Sequence, residues 1–207
     1  NEGHSFGITA AGGAGWQLGE WMVDGEPTID MLGVDPRRFG DYATQSYLIK
    51  KNEEAYANVF TIHYPDEERE ASRPLRQAPC YDRLKACGAV FGQKFGWERA
   101  NWFAPKGIDQ KDDWSFRRSK WFEHVGNECK NVQDNVGLLD MTAFAKCRIS
   151  GPGAEEYLDN LVANRLPRKN GRVNLCHALN TQGGVHSEFT IAKEKQNSFY
   201  LVSAGAF

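Results

Sequence analysis

What this 207-residue sequence has little of narrows the question first. There is no basic excess: the formal net charge is −2, so no positive field draws in nucleic acid or anionic lipid, and neither is expected as a partner. No apolar run approaches ~18 residues, which excludes a transmembrane helix. No charged segment followed by an apolar one stands at the N-terminus, so no signal peptide is read there. Cysteine is sparse and irregular: Cys80, Cys87, Cys129, Cys147 and Cys176, with no C-x-x-C. That odd set speaks against a disulfide scaffold or zinc knuckle and for reduced thiols in a cytosolic or matrix compartment. Cys176-His177 is not read as a metal site, because neighbouring strand residues point to opposite faces. What remains is an ordinary globular composition, long enough for one large domain or two small ones.

What is abundant is glycine, near the start. Gly7, Gly12, Gly13, Gly15 and Gly19 crowd into thirteen residues of "GITAAGGAGWQLGEWMVDGEP". Residues 3–11 read as a short strand entering a glycine turn. From Ala14 the apolar positions Ala14, Leu18, Trp21 and Met22 mark one face of a helix that Asp24-Gly25 and Pro27 stop. A strand–turn–helix of this kind aims free N–H groups at the end of its strand. It is neither G-x-G-x-x-G nor a P-loop.

Further on, a helix is expected from near Asp41, carrying Tyr47 and Leu48. "HYPDEEREASRPLRQAP" reads as an extended surface connection. "PCYDRLKACG" gives a short helix with Tyr81, Leu84 and Cys87 on one side and Gly88 as its C-cap. "VFGQKFGWERANWFAPKG" reads as irregular and well packed, and "GIDQKDDW" as an exposed insertion. A helix is expected over 127–138. Ala145, Cys147 and Ile149 alternate as a strand, and Ser150 and Pro152 open a helix with Tyr157, Leu158, Leu161 and Val162 as its stripe. Three alternating strands finish the chain, with turns at Thr181-Gln182-Gly183-Gly184 and Lys195-Gln196-Asn197, the last strand running into Phe207 without a stop signal.

Seven blocks then carry a resemblance: residues 7–27 quoted above, "DPRRFG", "YPDEEREASRPLR", "YDRLKACGAVFGQKFGWERANWF", "SFRRSKWFEHVGNE", "GLLDMTAFAKCRISG" and "LNTQGGVHSEFTIAK". In this order they resemble the dimethylglycine and sarcosine dehydrogenase family. Its members resemble an FAD-dependent amine oxidoreductase fused to a folate-binding domain like the glycine-cleavage T-protein. The resemblance covers nearly the whole chain but only the middle of a member. It implies an α+β fold in three parts. Residues 1–27 would end an FAD-dependent oxidoreductase domain, 28–80 would form a small central connecting domain, and 81–207 would begin a T-protein-like, antiparallel, β-rich folate-binding domain.

The resemblance also implies site residues. Gly7, Ile8, Gly12, Gly13 and Gly15 would serve FAD, offering N–H donors where negative charge gathers on the reduced flavin; otherwise they are a turn that lets helix and strand pack closely. In "GGVHSEF", Gly183 and Gly184 match the family's hairpin, and Glu188 stands where Asp is common, as the folate-side carboxylate. Without the resemblance, Glu188 is a solvent-facing strand residue. Alternation puts it on a face with His186 and Thr190, opposite Val185, Phe189 and Ile191. Asp140, Met141 and Thr142 occupy the family's D-x-S turn, with Ala143 where the T-protein has histidine. Leu179 and Asn180 precede the Gly-Gly turn, where the family lines its pterin pocket.

The function so implied is part of an oxidative N-demethylase. FAD would accept a hydride equivalent from a small methylated amine, and tetrahydrofolate would collect the one-carbon unit. An electron-transfer flavoprotein or oxygen would take the electrons, in bacterial cytoplasm or mitochondrial matrix. Two alternatives stand beside it: a flavin-independent aminomethyltransferase or demethylase, and a non-catalytic module of a larger assembly.

Overall fold

In the computed structural model, which describes residues 7–31 and 33–204, helices combine with antiparallel sheets, as the α+β reading requires. Two units are distinguished, Asn1–Arg73 and Pro74–Phe207.

The first unit is helical and held mostly by polar contacts. Helix α1 spans Gly7–Asp24, which corrects the expected strand–turn–helix. Gly12, Gly13 and Gly15 lie inside a continuous helix, none of them with a positive φ. Residues 3–6 of the expected strand lie outside the described residues. The helical period from Ala14 simply extends backward, because glycine tolerates helix as readily as a turn when no partner strand demands otherwise. That tolerance has a cost of about 1 kcal/mol per interior glycine relative to alanine, and no residue of α1 is buried to offset it. Thr28 ties the helix down, its hydroxyl donating to Glu20 Oε2 at 2.7 Å and accepting from Gln17 Nε2 at 3.1 Å. The Arg37 guanidinium covers the Trp21 ring at 4.7 Å. Helix α2, Gln45–Ala57, starts four residues later than expected, at a Thr44 cap whose hydroxyl accepts from Tyr47 N–H. The charged connector behind it is irregular, as expected, and hangs on Glu54 Oε1, which accepts from the Glu70 and Ala71 N–H groups at 2.7 and 2.9 Å.

The second unit holds two small cores. Helix α3, Tyr81–Ala86, ends at Gly88, whose φ of +95° is the expected left-handed cap. A Cβ there would stand 2.3 Å from the Ala104 carbonyl oxygen. Residues 89–103 are not irregular. They form a hairpin, β1 Ala89–Lys94 against β2 Trp97–Phe103, around Phe95-Gly96, both at positive φ. A phenylalanine at the first of these positions hides a turn that Asn-Gly would have announced. Helix α4 covers Trp121–Asp134, six residues earlier than expected at its start and four at its end. Its Trp121 and Val125 pack on Val90, Trp102 and Ala104, so Trp121 is helical core while Phe122 is exposed. The "GIDQKDDW" loop is mostly exposed, pinned by Asp112 Oδ1 accepting from the Trp102 indole at 2.9 Å.

The larger core belongs to a four-stranded antiparallel sheet. Strands β3 Ala145–Ser150, β4 Val173–Leu179, β5 Val185–Lys195 and β6 Ser198–Ser203 lie in the order β3-β6-β5-β4. Helix α5, Ala154–Leu161, covers one face through Ala154 and Leu158, with Val162 and Leu166 beyond it, against Cys176, Ile191, Phe199 and Leu201. Tyr157 and Leu161, expected in the buried stripe, are partly exposed. On the other face Leu175, Leu179 and Val185 are exposed.

Candidate functional site

The open face of the sheet is where the folate-side residues fall. On β4, Cys176 and Ala178 point into the core, so Leu175, His177 and Leu179 point out. On β5, Ile191 is buried and Phe189 packs on the core, which turns Glu188 and Thr190 outward. Val185 does not join Phe189 and Ile191 as alternation predicts. Leu179 pairs with Val185 but Ala178 pairs with Ser187, so His186 is an extra residue, a β-bulge. The bulge breaks the alternation and leaves Val185 65% exposed.

That bulge also decides what Glu188 meets. A regular ladder continued from Leu179–Val185 would put His177 opposite Ser187. The observed register puts it opposite Glu188, with His177 Nε2 3.1 Å from Glu188 Oε2. Asn164 holds the histidine from the far side. Its Oδ1 accepts from the His177 main-chain N–H at 2.8 Å and lies 3.2 Å from His177 Nδ1. Since that atom accepts a main-chain N–H, it is the amide oxygen, and Nδ1 must be its second donor. Asn164 is delivered by the segment leaving α5, where Ala163 N–H donates to the His177 carbonyl at 2.9 Å and Asn174 Nδ2 to the Arg165 carbonyl at 2.9 Å. This segment covers the outer edge of β4. The pair is half exposed, so its contribution to stability is at most about 1 kcal/mol; what it fixes is direction. Cys176 and His177 point to opposite faces, as strand geometry requires. Among the described residues no cluster of three or more His, Cys, Asp or Glu suits a metal ion.

Other predicted residues gather at the same end of the sheet. Ala145 pairs with Ser203, the Ser203 hydroxyl donates to the Glu188 carbonyl at 3.0 Å, and Glu188 pairs with His177, a row across all four strands. The Asp140-Met141-Thr142 turn precedes β3 at this end. Asp140 Oδ1 accepts from Thr142 N–H at 2.9 Å and from its hydroxyl at 2.6 Å, and Oδ2 accepts from the Cys80 thiol at 3.3 Å. Burial would raise the Asp140 carboxyl, but these hydrogen bonds outweigh it and hold it below its ordinary range. The bond to Asp140, reinforced by burial, pushes the Cys80 thiol up. Lys146 Nζ closes the turn by donating to the Thr142 carbonyl at 3.0 Å. Asn180 Oδ1 accepts from Gln182 and Gly184 N–H at 3.0 and 2.8 Å. Its side-chain oxygen therefore builds the turn, while Leu179 stays 45% exposed on the open face.

The glycines expected to serve FAD belong to the first unit, on α1. Gly7 and Ile8 are in its first turn, where N–H groups lack helix partners. Gly12, Gly13 and Gly15 spend their N–H groups inside the helix, and a Cβ at any of them would meet nothing within 4 Å. Sequence reasoning missed His177, Asn164 and Ser203. The only signal for His177 was hairpin register, and the bulge shifts that by one residue.

Comparison with known proteins adds two family matches: the GCVT N-terminal domain over residues 80–207 and the FAD dependent oxidoreductase central domain over residues 24–78. Mouse mitochondrial dimethylglycine dehydrogenase is 39% identical over 202 residues, covering 97% of this chain and 23% of that protein. The mouse mitochondrial pyruvate dehydrogenase phosphatase regulatory subunit is 32% identical, covering 97% and 24%. Human mitochondrial sarcosine dehydrogenase is 28% identical, covering 92% and 24%. The chain thus spans about a quarter of the length of these relatives.

Proposed function

The chain belongs to the GCVT N-terminal domain family, and from that premise we propose that it is part of an FAD-dependent oxidative N-demethylase of methylated glycines that passes the one-carbon unit to tetrahydrofolate. The observation that carries this reading is the succession of two families in one chain, an FAD oxidoreductase central domain followed by a GCVT domain. It is supported by relatives named as dimethylglycine and sarcosine dehydrogenases. The FAD-domain match weighs against a flavin-independent transferase. Our reading keeps the division 1–27, 28–80 and 81–207.

The residues present fit folate chemistry. A carboxylate at Glu188, beside the exposed apolar side chains of Leu175, Leu179 and Val185, suits a flat heteroaromatic ring with a nitrogen to deprotonate. Asp140, Met141 and Thr142 would shape the pocket at the β3 end of the row, and Leu179 and Asn180 at the hairpin end. For FAD the fit is partial. Gly7 and Ile8 supply N–H donors at a helix N-terminus, while Gly12, Gly13 and Gly15 would serve only by admitting close approach. When bound, FAD would accept a hydride equivalent from the N-methyl group, and tetrahydrofolate would receive the carbon. Glu188 would face the positive charge that develops and take up the proton released. The electron acceptor would be an electron-transfer flavoprotein or oxygen, and the compartment mitochondrial matrix or bacterial cytoplasm.

The test uses the longer polypeptide that carries this chain. Adding dimethylglycine or sarcosine without oxygen should bleach a bound flavin, and tetrahydrofolate should collect the carbon as 5,10-methylene-tetrahydrofolate, less so in Glu188→Gln. A polypeptide with no flavin and no folate affinity would refute the proposal. It would favour the non-catalytic module, a reading that one relative, named as a regulatory subunit, keeps in view.

A further inference from the structure

Three segments that are separate in sequence meet at His177: the exit from α5 through Asn164, strand β4 through His177 itself, and strand β5 through Glu188. We infer that His177, clamped by Asn164, is the positioning residue for Glu188, engaging carboxylate atom Oε2 so that Oε1 is presented to the ligand on the open face. This rests on the folate reading of Glu188 given above.

The geometry leaves little freedom. Asn164 Oδ1 takes the main-chain and Nδ1 hydrogens of His177, which fixes both the ring's orientation and its protonated Nδ1. Nε2 is thereby turned to Glu188 Oε2 at 3.1 Å. Without such a partner a glutamate on an exposed strand face samples several rotamers. With it, the side chain is held across the strand pair, and Oε1 makes no hydrogen bond to the described residues. This device also answers the change from aspartate to glutamate. The longer side chain has more freedom, and a cross-strand donor removes it. Glu188 Oε1 is then placed to take the proton released as a folate nitrogen bonds the one-carbon unit. The bond from that carbon to the substrate amine breaks, its electron pair going to the amine nitrogen.

The experiment compares the longer polypeptide with its His177→Ala, His177→Gln, Glu188→Gln and doubly substituted forms, given dimethylglycine and tetrahydrofolate. The readout is the partition of released carbon between 5,10-methylene-tetrahydrofolate and free formaldehyde. His177→Ala should lower capture about tenfold, as loss of a hydrogen bond to a charged group does. His177→Gln, which keeps an N–H donor, should recover most of it, and the double variant should be no worse than Glu188→Gln alone. Normal capture by His177→Ala beside poor capture by Glu188→Gln would overturn the inference and leave the function standing. Normal capture by Glu188→Gln would overturn both the inference and the folate role of Glu188, with the demethylase function still standing. Independently, ring ¹⁵N shifts of His177 in the 207-residue chain should show a protonated Nδ1 and an Nε2 signal that moves in Glu188→Gln. An unmoved Nε2 refutes the pair.

Discussion

Replacing Leu158 by alanine should weaken the sheet core and, through it, the clamp on His177. Leu158 has no exposed surface and packs on α5 against Cys176, Ile191, Phe199 and Leu201. The substitution removes about three carbon groups at ~0.8 kcal/mol each. It also leaves a cavity that a β-sheet fixed by ladder hydrogen bonds relaxes into only partly. Together these give about 3–5 kcal/mol. The helix runs directly into Val162, Ala163 and Asn164, so the loss should be felt at the far end of that segment. Urea unfolding of the second unit, followed by exchange of the Ile191 and Cys176 amides, would measure the first effect. Faster exchange of the His177 amide, which Asn164 Oδ1 accepts at 2.8 Å, would measure the second. A destabilisation under about 1 kcal/mol would refute the packing argument. Full destabilisation with an unchanged His177 amide would break the link from core to site.

Two further predictions concern the second unit. Gly88→Ala puts a Cβ 2.3 Å from the Ala104 oxygen at a φ of +95°, and should cost at least about 2 kcal/mol in denaturant unfolding; a loss below 0.5 kcal/mol on the order of an ordinary surface change would show that the turn shifts freely. Glu194 accepts from Arg148 Nε and Nη2 at 2.7 and 2.8 Å and from Ser198 at 3.0 Å, which lowers its carboxyl to about 2. A depressed carboxyl contributes stability above its unfolded value of 4.5, and that contribution disappears as pH falls from there to about 2. Arg148→Gln should flatten the stability-versus-pH curve in that window, and an unchanged slope would discount the pair.

Local signals made much of the second unit legible. The strands β3 to β6, the Gly88 cap and the Gly-Gly hairpin each depend on residues a few positions apart and lie where expected, except that the bulge at His186 takes Val185 out of the alternation. The misses share another cause. The glycines of α1 read as a turn because backbone permissiveness cannot say which conformation is chosen. The Phe95-Gly96 turn lacks the usual residue at its first position, and so no local signal announces β1 and β2. Glu188 stood out through family resemblance, not periodicity. His177 and Asn164 depend on a bulge and on tertiary closure across a segment of strand edge, neither of which a local pattern carries.

The five free thiols, finally, make a clock of the second unit. All lie between residues 80 and 176, so the first unit contributes none. Cys87, Cys129 and Cys147 are exposed and should be alkylated at once. Cys80 is half buried, and its bond to Asp140 discourages the thiolate, the reactive form. Cys176 is wholly buried, with burial pushing its thiol up. Intact mass against alkylation time should therefore show three fast additions, one delayed, and a last that arrives only when α5 lifts from the sheet. The rate of that fifth addition reads the opening of the core directly, in a chain that needs neither cofactor nor substrate to report it.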